Sequence, residues 1–531
     1  MFCRNESQQM TIMDPLAEMP KYLQDILLKS WAHTIRERIF PYINEKRFAV
    51  LYSENQATRP NSPINVIIGL LLLKEIFQLT DEELIGSLHF DTRFQYALRT
   101  TSFESQPVSI NTLSNFRTRV CKYEQETGID LIQPEVEEQS QRIAQYLEID
   151  GKKMRMDSFM VSSSCKKLSR IELVYAVNAK VVKRLNQIDS AIIPEACKAY
   201  LESGHKNETI YRTRDVESES KLEFLLKQSY ELHKVGCLVG ESVTDTEEFQ
   251  LLSRMLAEQV IQNETLSPKP GTDITANSLQ NPTDPDATYR KKYGDNIGYV
   301  ANVAEQFDGK NSVITTYDLK QNTYSDSKFA DDIVTKFGTE SNTEKIQLIV
   351  DGAFYEQDKA EDALTKGIEF IPGELVGRKP AADKISYNHF TVDEERNIVT
   401  RCPNNQEPIK SYYDEKGKSY TVKFSKEQCQ DCLYQDQCPM KPQKKDNVVN
   451  FSKKRYQIDI QRQKMGTAEY IKVISQRAGV EGIPSVFRRK YRVDCMPIRG
   501  LLRSKFWFGL KIAAYNVKKL INQAKTIPTP S

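Results

Sequence analysis

The chain has 531 residues, with 74 Lys and Arg against 72 Asp and Glu, which leaves a net charge of +2. One hydrophobic core rarely organises so long a chain, so several domains are expected, and the balanced charge neither predicts nor excludes a charged partner. No secretion signal is recognisable, and the longest apolar run, Val66 to Leu73, is too short to cross a bilayer, so we expect a cytoplasmic protein without membrane segments.

Residues 1–145 have the apolar spacing of helices. Thr80-Asp81-Glu82-Glu83 is a capping box, and Ser109 begins a second capped segment with an apolar face. The opposite face of that segment is polar and carries Arg117 and Arg119. Two interpretations stay open: a helix-turn-helix-like DNA-binding domain with these arginines near DNA, or a plain helical bundle with a solvated face.

The middle of the chain alternates between strand and helix patterns, which predicts a mixed α/β sheet. A helical segment and a Pro-rich linker over 165–290 interrupt this alternation after the first strand. A helix is expected from Ser325, and another through Glu361. Strands are predicted at about 146–160, 297–303, 313–317, 348–350 and 368–371.

Three acidic residues are candidates for a catalytic site. Asp351 directly follows the buried strand 348–350, and open α/β sheets place ligands at the carboxyl ends of their strands. Asp157 also follows a strand-like stretch, and Glu481 lies far downstream between Arg477 and Arg488. Considered alone, Asp351 is better interpreted as a solvated residue that starts a turn, and the alternative for Glu481 is an exposed helical position.

Several short motifs, taken in their order and spacing, resemble bacterial insertion-sequence transposases of the DDE type over nearly the full chain. The resemblance implies an RNase H-like catalytic domain over 146–525, with a helical insertion, and an all-helical N-terminal DNA-binding domain over 1–145. The motifs are RMDS at Arg155–Ser158, DPDA at Asp284–Ala287, VDGAFY at Val350–Tyr355, RAGVEG at Arg477–Gly482 and RGL at Arg499–Leu501.

The resemblance makes Asp157, Asp351 and Glu481 the catalytic triad and assigns them two Mg²⁺ (or Mn²⁺) ions. Two such ions activate the attacking oxygen and stabilise the leaving oxygen in phosphoryl displacement. Asp157 would bridge both ions, and each of the other two acids would complete one. The implied activity is cleavage and transfer of DNA strands at the ends of an insertion sequence. Implied partners are double-stranded DNA and a second copy of the chain, at the bacterial nucleoid.

The surroundings of Glu481 depart from the family pattern at two positions. The tyrosine expected three residues before Arg477 is replaced by Ile474. Pro484 lacks an amide donor and clashes one turn back, so a helix is expected to kink or to begin near it. Glu469 is a fallback for the third acid.

Four cysteines are clustered in the segment 400–440. Cys429 and Cys432 form a C-x₂-C step, with Cys402 before it and Cys438 after it. Such a set fits a structural Zn²⁺ site, although the irregular spacing leaves free thiols as an equal alternative.

The C-terminal region 485–525 is strongly basic and contains aromatic residues, with Asp494 as its acid. A solvated helix usually mixes charges of both signs, so phosphate contact is the favoured interpretation of this region. Its apolar positions would pack the last helix onto the sheet. Together with Arg117, Arg119 and Arg477, the arginines expected at DNA are Arg488, Arg489, Arg492, Arg499 and Arg503.

Two other functions remain compatible with these residues. One is a structure-specific nuclease on the same fold. The other is a DNA-binding regulator whose catalysis has decayed, although the presence of all three acids with their flanking motifs disfavours decay.

Overall fold

The computed structural model describes the side chains and backbone of most of the chain. Within the described residues, no helix combines the length and apolar character needed to cross a membrane. The description leaves out 6–18, 56, 102–105, 212–217, 263–265, 293, 340–344, 378, 380, 382 and 527–531.

The N-terminal region is helical, as its sequence predicts. The Thr80–Glu83 capping box is confirmed, and Ser109 caps the longest helix of the region through a second capping box with Thr112. The helices are α1 Lys21–Leu28, α2 Trp31–Arg38, α3 Ile64–Phe77, α4 Asp81–Phe90, α5 Thr92–Leu98, α6 Ile110–Thr127 and α7 Ile132–Tyr146.

The predicted strands and helices of the central region occur in the predicted order, but the strand Thr288–Lys291 and the hairpin strands Val260–Gln262 and Leu266–Pro268 were not predicted. A helical insertion with a small hairpin follows the first strand, after which the sheet resumes. The elements are β1 Lys153–Ser162, α8 Arg170–Ile188, α9 Ser218–Val239, α10 Glu241–Thr244, α11 Glu247–Gln259, β2 Val260–Gln262, β3 Leu266–Pro268, β4 Thr288–Lys291, β5 Asp295–Asp308, β6 Asn311–Gln321, α12 Asp326–Phe337, β7 Ile346–Val350, α13 Gln357–Thr365 and β8 Ile368–Pro372.

The central sheet has six strands and mixes parallel and antiparallel pairs. Its order is β4-β5-β1-β7-β8, and β6 also pairs with β5. β1 lies antiparallel to β5 and parallel to β7, which in turn lies parallel to β8. β1 and β7, the strands that lead into the two candidate aspartates, are therefore direct neighbours.

The two faces of this sheet are covered by different parts of the chain. Met154 and Met156 of β1 face a core shared with α12 and α13. Phe159 and Val161, which point the other way, join a core with the N-terminal helices and the C-terminal region. Since side chains alternate along a strand, Arg155 and Asp157 lie on this second face.

A smaller β structure follows the central sheet, and it was not predicted. The sequence expectation for 400–440 is only a cysteine-rich segment, although Ser419–Ser425 alternates buried and half-buried side chains as a strand does. The elements are β9 Thr391–Asp393, β10 Ile398–Arg401, β11 Lys410–Asp414, β12 Ser419–Ser425, α14 Lys426–Gln430, β13 Lys441–Pro442 and β14 Asp446–Ser452.

The C-terminal region consists of four helices, α15 Lys453–Met465, α16 Ala468–Ser475, α17 Ala478–Arg489 and α18 Leu501–Thr526. The long helix α18 packs against α3, α7 and β6, so it joins the N-terminal helices to the sheet. Asn516 on α18 is fully buried and exchanges hydrogen bonds of 2.8 and 3.1 Å with the backbone of Ile314 on β6. The packing of the last helix onto the sheet is thus confirmed.

The start of α18 is held by the DPDA segment. Asp284 is fully buried and accepts hydrogen bonds from the Tyr299 hydroxyl at 2.6 Å and the Gly500 amide at 3.1 Å. Asp286 accepts a hydrogen bond from the Leu501 amide at 2.9 Å. Carboxylates at a helix N-terminus satisfy free amides and favour the helix dipole. The DPDA and RGL motifs are therefore two halves of one structural contact.

Candidate active site

The two candidate aspartates occupy matching positions on neighbouring parallel strands. Arg155 on β1 pairs with Ile349 on β7, and both strands then advance two residues to Asp157 and Asp351. Parallel strands lie about 4.8 Å apart, and residues in register point to the same face. Asp351 directly follows β7, as expected, whereas Asp157 lies in the middle of β1, which continues to Ser162.

Asp157 is half-buried, with a side chain 19% exposed. One of its carboxylate oxygens accepts the Ser158 amide at 3.0 Å. Burial, and secondarily the nearby charge of Asp351, raises the pKa of Asp157 to about 6, against the opposing charges of Arg477 and Lys292. A carboxylate in this position is a good site for a cation, because a cation relieves both causes of the shift.

Glu481 lies in the first turn of α17 and is tied to Asp157 through Arg477. The Arg477 guanidinium lies 2.8 Å from a Glu481 oxygen and 3.6 Å from an Asp157 oxygen. Its side chain is 16% exposed, whereas Glu481 is 58% exposed. The arginine therefore connects two of the three predicted acids and partly neutralises them.

Pro484 does not end α17, because the helix begins at Ala478 and runs through the proline to Arg489. Val480, Ile483 and Phe487 form its buried face, and Glu481 lies on the exposed side. Glu469, the fallback, lies in the first turn of α16. Of the two glutamates, Glu481 is the one with a recorded ion-pair link to Asp157, through Arg477.

Arg155 fixes the beginning of α17 against the sheet. Its guanidinium donates to Glu305 at 2.7 Å and to the backbone carbonyl of Gln476 at 2.6 Å. Gly479 follows on α17, where an added Cβ would lie only 2.1 Å from the Arg155 guanidinium. A residue larger than glycine would therefore displace either the arginine or the helix that carries Glu481.

The carboxylate oxygens of the three acids suit Mg²⁺ or Mn²⁺, which prefer oxygen ligands. Within the described part of the chain, however, no group of three or more His, Cys, Asp or Glu side chains is placed to hold a metal ion. For the three acids, the Arg477 contacts explain why no such group is formed. The Arg477 guanidinium lies where a metal ion would otherwise draw the carboxylates together. The three acids therefore fit a metal ion by the chemistry of their oxygen atoms. Asp157 and Asp351 are in register, and Glu481 is held by Arg477.

The four predicted cysteine ligands line one small cavity of about 30 Å³ beside β12 and β14. All are free thiols, and the Gln406 amide lies 3.4 Å from the Cys402 sulfur. Burial, followed by the proximity of the other three thiols, raises the pKa of Cys438. The structure therefore brings Cys402, Cys429, Cys432 and Cys438 together, although not in the geometry of a formed metal site.

The arginines expected at DNA fall into two groups. Arg117 is ion-paired with Asp81, Arg119 lies over the Tyr52 ring, and Arg477 is held at the acids. Arg488 is exposed, but it also donates to the Met160 carbonyl at 3.0 Å. The remaining residues are exposed: Arg489, Arg492, Arg499 and Arg503.

Comparison with known families finds two matches, and both are to transposase families. The family described as "Transposase DDE domain" matches residues 401–521, and the family described as "Transposase domain (DUF772)" matches residues 28–119. Together, the two matches support an insertion-sequence DDE transposase. The first match spans Glu481 and the cysteines, whereas Asp157 and Asp351 lie outside both matches.

Comparisons with solved structures and with curated proteins add little information. A cryo-EM structure of a piggyBac transposase synaptic complex with hairpin DNA matches at 8% identity and a TM-score of 0.28, over 95% of this chain and 77% of that chain. Similarity at this level does not indicate a shared fold. No curated protein matches the chain significantly.

Sequence reasoning missed two residues beside the candidate acids. Arg155 belongs to the RMDS motif, but its role in holding α17 depends on Gln476 and Glu305, which are distant in sequence. Lys292 lowers the pKa of Asp157 by its charge, yet it lies between β4 and β5 with no local signal of a site. Only the fold brings these positions together.

Proposed function

We propose that the transposase cleaves DNA at the ends of a bacterial insertion sequence and joins the freed ends to a target, using Asp157, Asp351 and Glu481. The observation that supports this proposal is the register of β1 and β7, in which Arg155 pairs with Ile349 two residues before each aspartate. The link from Asp157 through Arg477 to Glu481 supports the third acid.

The proposed catalytic domain is RNase H-like and extends over 146–525, with the helical N-terminal DNA-binding domain over 1–145. The mixed sheet with its inserted helices after β1 supports the first assignment. The N-terminal helices share one apolar core with α18 and the sheet, so the two domains would act as one unit. The assignment of a helix-turn-helix-like surface to α6 stays a prediction.

Asp157, Asp351 and Glu481 would hold two Mg²⁺ or Mn²⁺ ions. When bound, such ions would activate the attacking oxygen and stabilise the charge on the leaving oxygen. Arg477 would have to release at least one carboxylate for this to happen. Its guanidinium is then free to contact the DNA backbone, which agrees with its predicted role at DNA.

DNA would reach the acids along the exposed side of α17. Arg488 and Arg489 end that helix, and Arg492 and Arg499 lie in the segment that follows. Exposed guanidinium groups bind phosphate without regard to base sequence, so these residues would position the strand rather than read it. A homodimer would hold two element ends at once.

A structural Zn²⁺ at Cys402, Cys429, Cys432 and Cys438 is the second part of this proposal. Four free thiols around one small cavity support it, since zinc needs four ligands about 2.3 Å from the ion. The test is metal content of the purified protein by mass spectrometry. One zinc per chain is expected, with loss in Cys432→Ser, and a zinc-free protein with unchanged stability would refute it.

A cleavage assay and a joining assay with a pre-cut end test the catalytic proposal. Asp157→Asn and Asp351→Asn should each reduce both steps at least about 1,000-fold, or about 4 kcal/mol of transition-state stabilisation. DNA binding should survive in both. Asp358→Asn is the matched control, because Asp358 lies on the nearby α13 with its side chain exposed.

The same assays separate the alternatives. A structure-specific nuclease would cleave without joining in the wild type, and a decayed regulator would do neither while still binding DNA. Full activity in Asp351→Asn would remove this residue from the proposed site.

A further inference from the structure

A deep groove separates the N-terminal helices from the segment that follows α17. Its volume is about 940 Å³, and α4 and α6 form one wall. The opposite wall is formed by 490–498 and the first turns of α18. We call this feature the Arg492 groove and define it by Lys490, Tyr491, Arg492, Arg503, Phe506 and Trp507, which all line it.

The rim of the Arg492 groove has an excess of positive charge. Lys490, Arg492 and Arg503 line it and are exposed, with Glu82 as an exposed acid on the other wall. Cations deeper in the groove already have ion-pair partners within the protein, because Lys74 and Arg117 share Asp81 and Lys511 pairs with Glu75. The rim cations are therefore the ones available to an anionic ligand.

The wall that carries Arg492 is held in a fixed and unusual conformation. Arg492 has a φ of 49°, in the left-handed region that non-glycine residues rarely adopt. Asp494 anchors the same segment, because it accepts the Ser162 amide at 2.9 Å and pairs with Arg488 at 3.3 Å. Backbone strain of this kind is concentrated at functional sites. The segment thus presents Arg492 to the groove from a rigid base.

The exposed side of α17 leads from the candidate acids to the Arg492 groove. Glu481, Ser485 and Arg489 are four residues apart and exposed, so they form one stripe along the helix. From Glu481 to Lys490 the helix advances about 14 Å, at about 1.5 Å per residue. That distance corresponds to roughly four nucleotides of one strand at about 3.4 Å each.

We propose that the Arg492 groove binds unpaired nucleotides of the DNA strand whose phosphate lies at the acids. Its volume is in the range of small-ligand pockets, about 300–1,000 Å³, which admits a few nucleotides and excludes a duplex. Trp507 is the half-buried aromatic side chain of the groove, whereas Tyr491 and Phe506 are buried, and an aromatic ring in a positively charged groove is a platform on which an unpaired base can stack. This inference rests on the proposed function, and it adds that the DNA near the cut is unpaired when bound.

The chain offers a direct optical probe of this groove. It contains two tryptophans, Trp31 and Trp507, and the second lines the groove. Trp31 packs against Phe77 and Phe94, so Trp31→Phe keeps an aromatic ring there and leaves Trp507 as the only emitter. The full-length Trp31→Phe protein is titrated with a blunt duplex and with the same duplex carrying a four-nucleotide single-stranded end.

The expected result is a saturable change in Trp507 emission with the single-stranded end, and about tenfold tighter binding than to the blunt duplex. Arg492→Gln/Arg503→Gln should reduce this affinity ratio to about one. Arg396→Gln/Arg401→Gln removes the same charge from exposed positions on the small β structure, and it should keep the ratio. Comparing ratios cancels the general effect of charge on DNA binding.

Three results would overturn the inference. One is equal affinity for both DNAs in the Trp31→Phe protein, and another is an unchanged ratio in the Arg492→Gln/Arg503→Gln variant. The third is an equal emission change with a poly-glutamate peptide, which would make the groove a site for acidic protein segments. Each leaves metal-dependent cleavage by the wild type intact, whereas failure of the proposed function would abolish that cleavage.

Discussion

Helices α17 and α18 both belong to the basic C-terminal region, yet they use their charges in different ways. On α17, Arg488 and Arg489 are exposed. On α18, Lys511 is 5% exposed and lies 2.7 Å from Glu75, which is equally buried. Lys505 and Lys519 on α18 also pair with carboxylates inside the protein, at 3.0 and 2.7 Å.

Within this one basic region, the difference distinguishes the residues that could contact DNA from the residues that stabilise the fold. The sequence favours phosphate contact for the whole of 485–525, but three lysines of α18 connect it to the N-terminal helices and the sheet. The part of this region available to DNA is therefore α17, the segment that follows it and the exposed Arg503 in the first turn of α18. Changes at the paired lysines of α18 should alter stability, whereas changes on α17 should alter DNA binding and catalysis.

The largest expected effect is at the buried pair of α18. Lys511→Met leaves Glu75 buried without a partner, which should cost about 3–5 kcal/mol of unfolding free energy. Denaturant unfolding measures this loss. Lys518→Met is the control, because Lys518 on the same helix contacts the Tyr491 ring instead, and it should lose less than about 1 kcal/mol.

Adding Glu75→Leu to Lys511→Met should restore most of the lost stability, because two apolar groups then replace the pair. If Lys511→Met were as stable as Lys518→Met, the buried pair would not be what joins α18 to α3.

The next effect concerns the position of α17. Gly479→Ala places a methyl group against Arg155, so α17 and Glu481 should shift, and cleavage should fall about 100-fold with a small stability change. Gly482→Ala is the matched control on the same helix, where an added Cβ meets nothing within 4 Å. It should leave cleavage unchanged and raise stability by up to about 1 kcal/mol. Equal cleavage in the two variants would show that Arg155 does not position the helix.

A pH effect is expected around Lys505 of α18. Burial, with Asp130 as the second cause, raises the pKa of Glu124 from 4.5 to about 7. The folded state then binds more protons than the unfolded state between those values, so Glu124 costs stability as pH rises through about 7. Glu124 is 10% exposed, so the loss should be about 2 kcal/mol between pH 5 and pH 8.

Glu124→Gln should make the unfolding free energy less dependent on pH and raise it at pH 8, while Lys505 keeps its 3.0 Å contact with Asp130. A variant with the same pH profile as the wild type would place the titrating group elsewhere.

The smallest effect is at the end of α17. Arg489→Gln should weaken duplex binding only a few-fold and reduce the slope of log affinity against log salt by about 0.9. Stability should not change, since Arg489 is exposed. Lys518→Gln on α18 serves as the comparison and should leave the salt slope unaltered. A reduced slope in the α18 variant instead would reverse the assignment of the two helices.

Much of the fold follows from local sequence patterns. The capping boxes at Thr80 and Ser109 and the strand that ends at Asp351 are confirmed because each depends on residues within one or two turns or strand lengths. The small β structure over 391–452 was not predicted, although β12 alternates in the expected way. Its strands are short, and only their pairing with β14 and β11 makes the pattern a sheet.

The sequence alone determined the order of the main elements and the family resemblance, since these depend on periodicity and on short motifs, and it named the three acids as candidates. Tertiary structure alone decided that Arg477 lies between Asp157 and Glu481, and that Lys511 meets Glu75 across 436 residues of chain. The sequence shows the same basic residue whether its side chain is solvated or ion-paired. Only the folded arrangement, by bringing distant partners within hydrogen-bond distance, determines which basic residues remain for DNA.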